Sequence, residues 1–229
     1  MTNVTFLLPK DPILQKAGNV TTSRLFMRLA AEAFDVSAIC LSAETGSDTM
    51  DLDPGVVPLS RVRKPPINQR RLLADALRRR RSLVHVRFDH DALVDAIERC
   101  DSDVFVAEHS YMAESFLRSA HFGKKQLVVN VHVSESDVWR ATRGVLGRVE
   151  APRLLRDELR VARAADRVST SDEPWAEFYR AKGVPDARFL YLTLPPAQQV
   201  DVSATARRLV FLGSREWPPN QEAFLRAVQ

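Results

Sequence analysis

The sequence predicts an α/β fold in which a Rossmann-like, doubly wound and mostly parallel sheet carries helices on both faces. Two observations support this prediction. Short apolar runs alternate with amphipathic helical segments along the chain, an order typical of parallel βαβ units. Several runs, such as residues 4–8 and 127–131, are almost continuously apolar. Strands of that kind are usually covered on both faces by helices.

The individual elements follow from periodicity and from helix and turn signals. Strands are predicted at residues 4–8, 36–41, 56–59, 103–107, 127–131, 167–170 and 189–192. Helices are predicted from residue 21 onward and at residues 67–83, 90–99, 111–120, 149–165 and 173–182. Hydroxyl side chains at 21–23 are expected to cap the first helix, with Leu25 and Leu29 on its buried face. Pro58 suggests an edge position for its strand.

Composition narrows the class of protein. The 229 residues are 45% hydrophobic and 27% charged, which argues against disorder. A net charge of +4 permits an anionic partner without requiring one. Cys40 and Cys100 do not suggest a disulfide framework. Because there is neither a signal-peptide pattern nor an apolar run of membrane-spanning length, we expect a cytoplasmic protein, with any membrane contact peripheral.

Polar residues cluster after the predicted strands. In parallel sheets, ligands bind at the carboxyl ends of the strands. The candidates there are Gly18, Asn19, Glu108, His109, His132, Ser134 and Glu135. Simpler interpretations stay open: Gly18 as a turn glycine, and Glu108 with His109 as a satisfied polar pair at a helix N-terminus. Ser134 could instead cap a helix.

Several enzyme classes are disfavoured by absent motifs. The sequence contains no GxGxxG after the first strand and no GxxxxGK[ST], which disfavours nicotinamide dehydrogenases and P-loop NTPases. It also lacks a GxSxG nucleophile elbow, a CxxC pair and histidines at zinc-ligand spacing.

Four segments together resemble glycosyltransferase family 4, whose members have the two-domain GT-B fold. They are the GNVTTSRL stretch at residues 18–25, the VHVSES stretch at 131–136 with Trp139 and Arg140, residues 158–172, and FLGSREWPPN at 211–220. The second is similar to the family pattern HNvES…R, with Val133-Ser134 where Asn-Val is usual. Residues 192–196 differ from the Asn-Gly linker of many relatives.

The resemblance implies transfer of a sugar from a nucleotide-sugar donor to an acceptor hydroxyl, with retention and with no metal or other cofactor required. The acceptor would be a sugar or a lipid-linked sugar. His132 matches the family's active-site histidine beside the transferred sugar, and the Gly18 loop would lie near donor phosphates and acceptor. Two alternatives stay open: a non-catalytic α/β domain that binds a partner or an acidic surface, and another GT-B enzyme such as a nucleotide-sugar epimerase.

The same resemblance suggests a domain organisation. Residues 1–195 would form the N-terminal acceptor-binding half of a GT-B fold, 196–206 a linker, and 207–229 the start of a C-terminal donor-binding domain. A lone strand and helix cannot bury their own apolar faces. We therefore expect the sequence to stop inside a second unit, with the donor-binding residues beyond Gln229, and the chain alone to be inactive.

The helix predicted at 67–83 is unusually basic. It carries Arg70, Arg71, Arg78, Arg79, Arg80 and Arg81 beside a stripe of leucines. The simplest interpretation is a solvated surface helix whose leucines pack on the core. Peripheral docking on anionic lipid is the second interpretation. Nucleic-acid binding is disfavoured because no aromatic residues interleave with the arginines.

Overall fold

The computed structural model describes residues 1–52, 55–191 and 218–228, together with residues 199, 201, 203 and 213. Its strands are β1 (Asn3–Leu8), β2 (Asp35–Ser42), β3 (Gly46–Asp51), β4 (Val56–Arg63), β5 (Val104–Glu108), β6 (Gln126–Val131), β7 (Arg167–Thr170) and β8 (Ala187–Phe189). Its helices are α1 (Gly18–Ala31), α2 (Gln69–Arg79), α3 (Leu83–Phe88), α4 (Asp91–Glu98), α5 (Ala113–Arg118), α6 (Glu135–Thr142), α7 (Gly144–Ala164), α8 (Glu173–Ala181) and α9 (Pro218–Ala227). A short 3-10 helix, Ser110–Met112, precedes α5.

The eight strands form one sheet in the order β3-β4-β2-β1-β5-β6-β7-β8. All neighbouring strands are parallel except β3, which runs antiparallel to β4. The predicted α/β class with a mostly parallel sheet is therefore confirmed. The order reverses direction between β1 and β5, which is the position where open α/β sheets usually form a ligand crevice.

Alternate residues of the central strands enter two different hydrophobic cores, so the sheet is covered on both faces. Leu7, Phe105 and Val129 belong to the larger core, which they share with side chains from α3, α4, α5, α7 and α8. Phe6 and Leu8 belong to the smaller core, which α1 covers. This alternation explains the continuously apolar strand sequences, because both sets of side chains leave water.

The edge position predicted for the Pro58 strand is wrong. β4 lies between β3 and β2, and β3 forms the edge of the sheet. Pro58 is tolerated because it faces Thr49 of β3, and the pairing of β4 with β2 begins only at Leu59. The sequence of β3 is polar and gave no apolar run from which a strand could be predicted.

The start predicted for α1 is also wrong. The helix begins at Gly18, and Ala17 occupies the cap position without a side-chain hydrogen bond. Ser23 lies inside the helix, where its hydroxyl oxygen is 2.9 Å from the carbonyl oxygen of Asn19 and 2.8 Å from Oε2 of Glu108, to which its single O–H group can donate. The buried face consists of Val20, Ser23 and Met27, whereas Leu29 is 44% exposed.

The segment predicted as one helix at 67–83 is split. α2 ends where Arg80 takes a left-handed conformation, and Ser82 then caps the separate helix α3. α6 was not predicted as a helix, although its capping residue Ser134 was. The strand predicted at 189–192 lies earlier than expected, at β8. Most of the proposed linker and of the segment 207–217 lies outside the described residues.

Both cysteines are free thiols, Cys40 buried and Cys100 half-buried. None of the helices among the described residues combines the length and the hydropathy needed to cross a membrane.

Candidate functional site

The predicted site residues converge at the carboxyl edge of the sheet, beside the switch point. Glu108 ends β5, and His132 follows β6 directly. The helix after β1, α1, packs on one face of the sheet and the helix after β5, α5, on the other. The two connections therefore diverge, which is the arrangement that usually forms a ligand crevice in open α/β sheets.

Glu108 is the centre of the arrangement, and its side chain is fully buried. Its carboxylate accepts a hydrogen bond from the Ser23 hydroxyl at 2.8 Å and another from the Asn130 amide nitrogen at 3.0 Å. The third partner is Nε2 of His132. A buried carboxylate is costly unless donors surround it, and here three elements, α1, β6 and the loop after β6, supply them.

This contact fixes the orientation of the His132 ring. Because Glu108 already receives hydrogen bonds from Ser23 and Asn130, its role toward Nε2 is that of an acceptor, so Nε2 carries a proton. Among the described residues, none hydrogen-bonds to Nδ1. The His132 side chain is 8% exposed, and Phe26 meets the ring edge-on at a centroid distance of 6.1 Å. The ring is thus held on one nitrogen and free on the other.

His109 has a strained backbone and an unsatisfied ring. Its φ is +77°, which is uncommon for a residue other than glycine. The backbone N–H donates to the carbonyl oxygen of Asn130 at 2.8 Å, which holds this conformation. Its ring stacks between Tyr111 at 5.1 Å and His132 at 4.8 Å. Strain of this kind is often concentrated at functional sites.

Burial controls the charge of His109. Desolvation, with the neighbouring His132 and Lys10, lowers the pKa of His109 to about 3, so the ring is neutral at physiological pH. Its Nε2 is buried and has no hydrogen-bond partner among the residues that the structure describes. Nδ1 lies 3.5 Å from Oε1 of Glu135. Nε2 of His109 is thus one of the few buried polar atoms of the described residues without a hydrogen-bond partner.

Glu135 is the second residue of the site whose pKa is shifted. Burial, together with the charge of Glu158, raises the pKa of Glu135 to about 7. Glu135 is the first residue of α6, and Ser134 caps that helix by accepting from the Asp137 N–H at 3.3 Å. The capping interpretation of Ser134 is therefore confirmed, and its role in substrate binding stays a prediction.

Gly18 and Asn19 lie at the start of α1, and among the described residues neither forms a hydrogen bond with His132. Asn19 accepts a hydrogen bond from Nζ of Lys10 at 3.4 Å. A Cβ atom at Gly18 would meet nothing within 4 Å, so the glycine is not required sterically. Gly18 is a helical residue, and its interpretation as a turn glycine is wrong. α1 reaches the histidine instead through Ser23 and Phe26.

The loop between β1 and α1 is anchored by Asp11, which is buried. One carboxylate oxygen accepts from the backbone N–H groups of Ile13 and Leu14 at 2.9 and 3.1 Å. The other accepts from Nε of Arg61 at 2.6 Å and from Ser42 at 3.0 Å. These contacts fix the chain that carries Lys10 toward the crevice.

Sequence reasoning missed three contributors to this site: Ser23, Phe26 and Asn130. Ser23 was interpreted as a helix cap, and no role in the site was predicted for Phe26. Asn130 links three strands, since its side chain also accepts from the hydroxyl of Ser169 at 2.8 Å. A single amide within an otherwise apolar strand was the available signal. The described residues include no group of three His, Cys, Asp or Glu side chains placed to hold a metal.

The six arginines of the basic segment do not form one surface. Arg71 and Arg78 have side chains 84% and 72% exposed. Arg79 and Arg81 are only 36% and 34% exposed, and they pair with Asp89 and Asp157. Arg70 and Arg80 are exposed. The six side chains therefore divide into an outward set of four and an inward pair.

The leucine stripe of this segment does not pack on the core as the simplest interpretation expects. Ala76 is the buried residue of α2. Leu73 and Leu77, one turn apart, are 50% and 62% exposed, and Ile67 is 64% exposed. α2 is instead attached by backbone contacts, because Arg153 of α7 donates to the carbonyl oxygens of Ala76 and Arg81.

Comparison with known protein families decides the identity of the chain. Residues 17–195 match the family model of the glycosyl transferase 4-like domain. The chain belongs to this family. The glycosyltransferase family indicated by the four segments is therefore confirmed, and the match includes Ser23, Glu108, His109, His132 and Glu135, whereas Lys10 and Asp11 precede it. No curated protein sequence matches the chain.

Solved structures are similar to the chain. Sucrose-phosphate synthase from Thermosynechococcus elongatus is 13% identical, with a TM-score of 0.55 over 83% of this chain and 48% of that one. Anabaena HepE in complex with UDP and glucose is 14% identical, with a TM-score of 0.48 over 83% of this chain and 44% of that one. At 13% identity, the likeness to sucrose-phosphate synthase shows the fold alone. The chain spans about half the length of these proteins.

Proposed function

We propose that the chain forms the acceptor-binding half of a retaining GT-B glycosyltransferase, in which His132 presents Nδ1 to a sugar hydroxyl. One observation carries this proposal: Glu108 holds Nε2 of His132 from inside the protein, at the carboxyl edge of the sheet. In this arrangement the imidazole is oriented before the ligand arrives, which lowers the ordering cost of binding and of reaction.

The chemistry of sugar transfer requires such groups. The transition state resembles an oxocarbenium ion, and the leaving diphosphate gains negative charge. His132 would orient a hydroxyl beside the reacting sugar, and the unpaired Nε2 of His109 would accept or donate a second hydrogen bond. Lys10, carried on the loop after β1, would contribute positive charge near the donor phosphates. No residue of this set requires a metal ion for its role.

The orientation of His132 can be tested without knowing the substrate. Long-range 1H–15N spectra of the chain distinguish an imidazole with a proton on Nε2 from one with a proton on Nδ1. We expect a proton on Nε2 of His132 and an altered pattern in Glu108→Gln, because the variant no longer offers two carboxylate acceptors. A neutral ring protonated on Nδ1 alone would exclude the proposed arrangement.

Ligand binding gives the second test. Saturation-transfer NMR with a panel of nucleotide sugars and sugar acceptors should show contacts that weaken in His132→Ala. His121→Ala is the matched control, because its ring bonds to the carbonyl oxygen of Cys100, at the opposite edge of the sheet. Equal losses in both variants would refute a specific role for His132.

The 229 residues alone are expected to bind ligand without transferring sugar, since the resemblance assigns the donor-binding cations to a second domain. Release of nucleoside diphosphate from a nucleotide sugar by the isolated chain would contradict this expectation. In a polypeptide that includes a donor-binding domain, retention would appear as a product with the anomeric configuration of the donor, read from the coupling constant of the anomeric proton.

The exposed face of α2 supports a second function, docking on an anionic membrane, which would bring a lipid-linked acceptor to the crevice. Leu73 and Leu77 project from the helix between the exposed Arg70, Arg71 and Arg78. Apolar side chains flanked by arginines are the pattern of interfacial helices. Each arginine near an anionic surface contributes about 1 kcal/mol, and the contribution is screened by salt.

Flotation with phosphatidylglycerol vesicles tests this second function. We expect binding at low salt that is lost at high salt and lost in a Leu73→Ser, Leu77→Ser double variant. Val56→Ser changes an apolar residue that is 63% exposed on a strand and serves as the control. Binding that persists in the double variant would show that the face of α2 is not the docking surface.

A further inference from the structure

A second cleft, away from His132, is lined by four arginines. It has a volume of about 470 Å³, is open to solvent, and lies between the end of α2, α5 and α7. Arg79 and Arg81 reach it from the end of α2, Arg118 from α5 and Arg160 from α7. A volume of this size lies in the range of small-molecule sites.

Each of the four arginines forms an ion pair with a carboxylate. Nη1 of Arg79 and Nε of Arg118 both bind Asp89, at 2.8 and 2.6 Å. Arg160 binds Glu114. The guanidinium groups are therefore fixed before any ligand binds, so little side-chain entropy remains to be lost on binding.

The internal pairing leaves hydrogen-bond donors unused. Four guanidinium groups line the cleft with two carboxylates, Asp89 and Glu114. Arg118 and Arg81 also pair with Asp91 and Asp157, which lie outside the lining, so the four positive charges are balanced by four carboxylates. A guanidinium has five N–H donors. Arg79 uses one of them on Asp89 and Arg81 one on Asp157, so further N–H groups remain available to an anion.

One wall of the cleft is apolar. The phenyl ring of Phe122 is 47% exposed, and Leu117 lies beside it in the lining. An exposed aromatic ring next to a cluster of arginines fits a ligand with an anionic group joined to an apolar body. Arginine recognises phosphate oxygens in particular, because its planar fork can donate two parallel hydrogen bonds.

We propose that this cleft binds the phosphate group of a phosphate ester whose apolar part packs on Phe122. The site is separate from the transfer chemistry. Ala164, which lines the cleft, ends α7 just before β7 begins, so the cleft lies toward the amino-terminal edge of the sheet. His132 lies at the carboxyl edge. The phosphate can belong to a soluble ester or to a lipid headgroup.

Titration with inorganic pyrophosphate tests the site. Isothermal calorimetry at low salt should give binding with a stoichiometry of one. The Arg79→Gln, Arg118→Gln double variant should bind at least about tenfold more weakly, because a charge-assisted hydrogen bond is lost at each position. Arg78→Gln is the matched control: it removes the same charge from α2 at a residue that lies outside the cleft and pairs with Asp75. We expect less than about a twofold change there.

A measurement on the unaltered protein does not depend on correct folding of the double variant. Side-chain 1H–15N spectra should show the Nε–H signals of the cleft arginines shifting on addition of pyrophosphate, while that of Arg78 stays in place. Signals that shift alike for all arginines, or equal weakening in the control variant, would overturn the proposal, as would the absence of binding.

Vesicles distinguish the two sources of phosphate. If the ligand is a lipid headgroup, vesicles with phosphatidic acid will bind the chain more tightly than phosphatidylglycerol vesicles of the same anionic charge, and pyrophosphate and the double variant will both remove the difference. If the ligand is soluble, pyrophosphate will bind equally well with and without vesicles.

Discussion

Replacing Glu135 with glutamine removes a carboxyl group whose pKa burial and the nearby Glu158 raise from 4.5 to about 7. The folded protein therefore keeps a proton that the unfolded chain has already lost in this pH range. The contribution of Glu135 to the free energy of unfolding is fully present below pH 4.5 and is lost as the pH rises to about 7. The difference of 2.5 pH units corresponds to about 3 kcal/mol.

His109 contributes in the opposite sense. Burial lowers its pKa from 6.5 to about 3, so its contribution to stability is present above pH 6.5 and is lost as the pH falls toward 3. Between about pH 4.5 and 6.5 the two slopes have opposite signs and offset one another. In Glu135→Gln the contribution of His109 is no longer offset. The free energy of unfolding of this variant should therefore rise with pH across this range relative to that of the parent protein.

Urea unfolding followed by tryptophan fluorescence, at half-unit steps from pH 4.5 to 7.5, measures the effect. The free energy of unfolding of the parent minus that of Glu135→Gln should fall by about 3 kcal/mol across the series, and other titrating groups cancel in this difference. Glu177→Gln, at an exposed position on α8, serves as the control. Parallel curves for parent and Glu135→Gln would refute the assignment of a buried, protonated carboxyl.

Three further outcomes are expected. Glu108→Ala should lower the free energy of unfolding by about 3–5 kcal/mol in urea titrations, because three buried donors lose their acceptor; a loss below about 1 kcal/mol would contradict the network. Gly147→Ala places a Cβ atom 1.9 Å from a backbone carbonyl oxygen of α6, and we expect a loss of about 1–3 kcal/mol or more, whereas Gly18→Ala, with open space around it, should be neutral. Iodoacetamide should label Cys100 in the native protein and spare Cys40, since burial and the charge of Asp11 raise the Cys40 pKa to about 12; mass spectrometry showing equal labelling would contradict this.

Much of the fold was predictable because its strands are buried on both faces. β1, β2, β5 and β6 stand out as apolar runs. β3 could not be predicted in the same way: it is a polar edge strand, five of whose six residues are exposed, and antiparallel pairing with β4 defines it. The start of α1 was misplaced because its cap lacks the side-chain hydrogen bond on which sequence reasoning depends.

The edge of the sheet at which the candidate site lies was predictable, but most of the contacts within the site were not. His132, Glu108 and His109 could be grouped because parallel strands end at one edge. Their connection through Ser23 and Asn130 depends on how α1 lies across the sheet and on the register between β5 and β6. Neither is encoded locally, so no spacing along the chain could indicate that a helix hydroxyl and a strand amide share one carboxylate.

α1 covers the smaller of the two cores, eleven buried residues against twenty-three on the opposite face among the described residues. A helix held by less apolar area opens more often than its neighbours. Its amide hydrogens should exchange with deuterium sooner than those of α7. Because Ser23 belongs to α1, each such opening would also break one of the three hydrogen bonds to Glu108. The opening rate of α1 would therefore determine how long the His132 ring keeps its orientation.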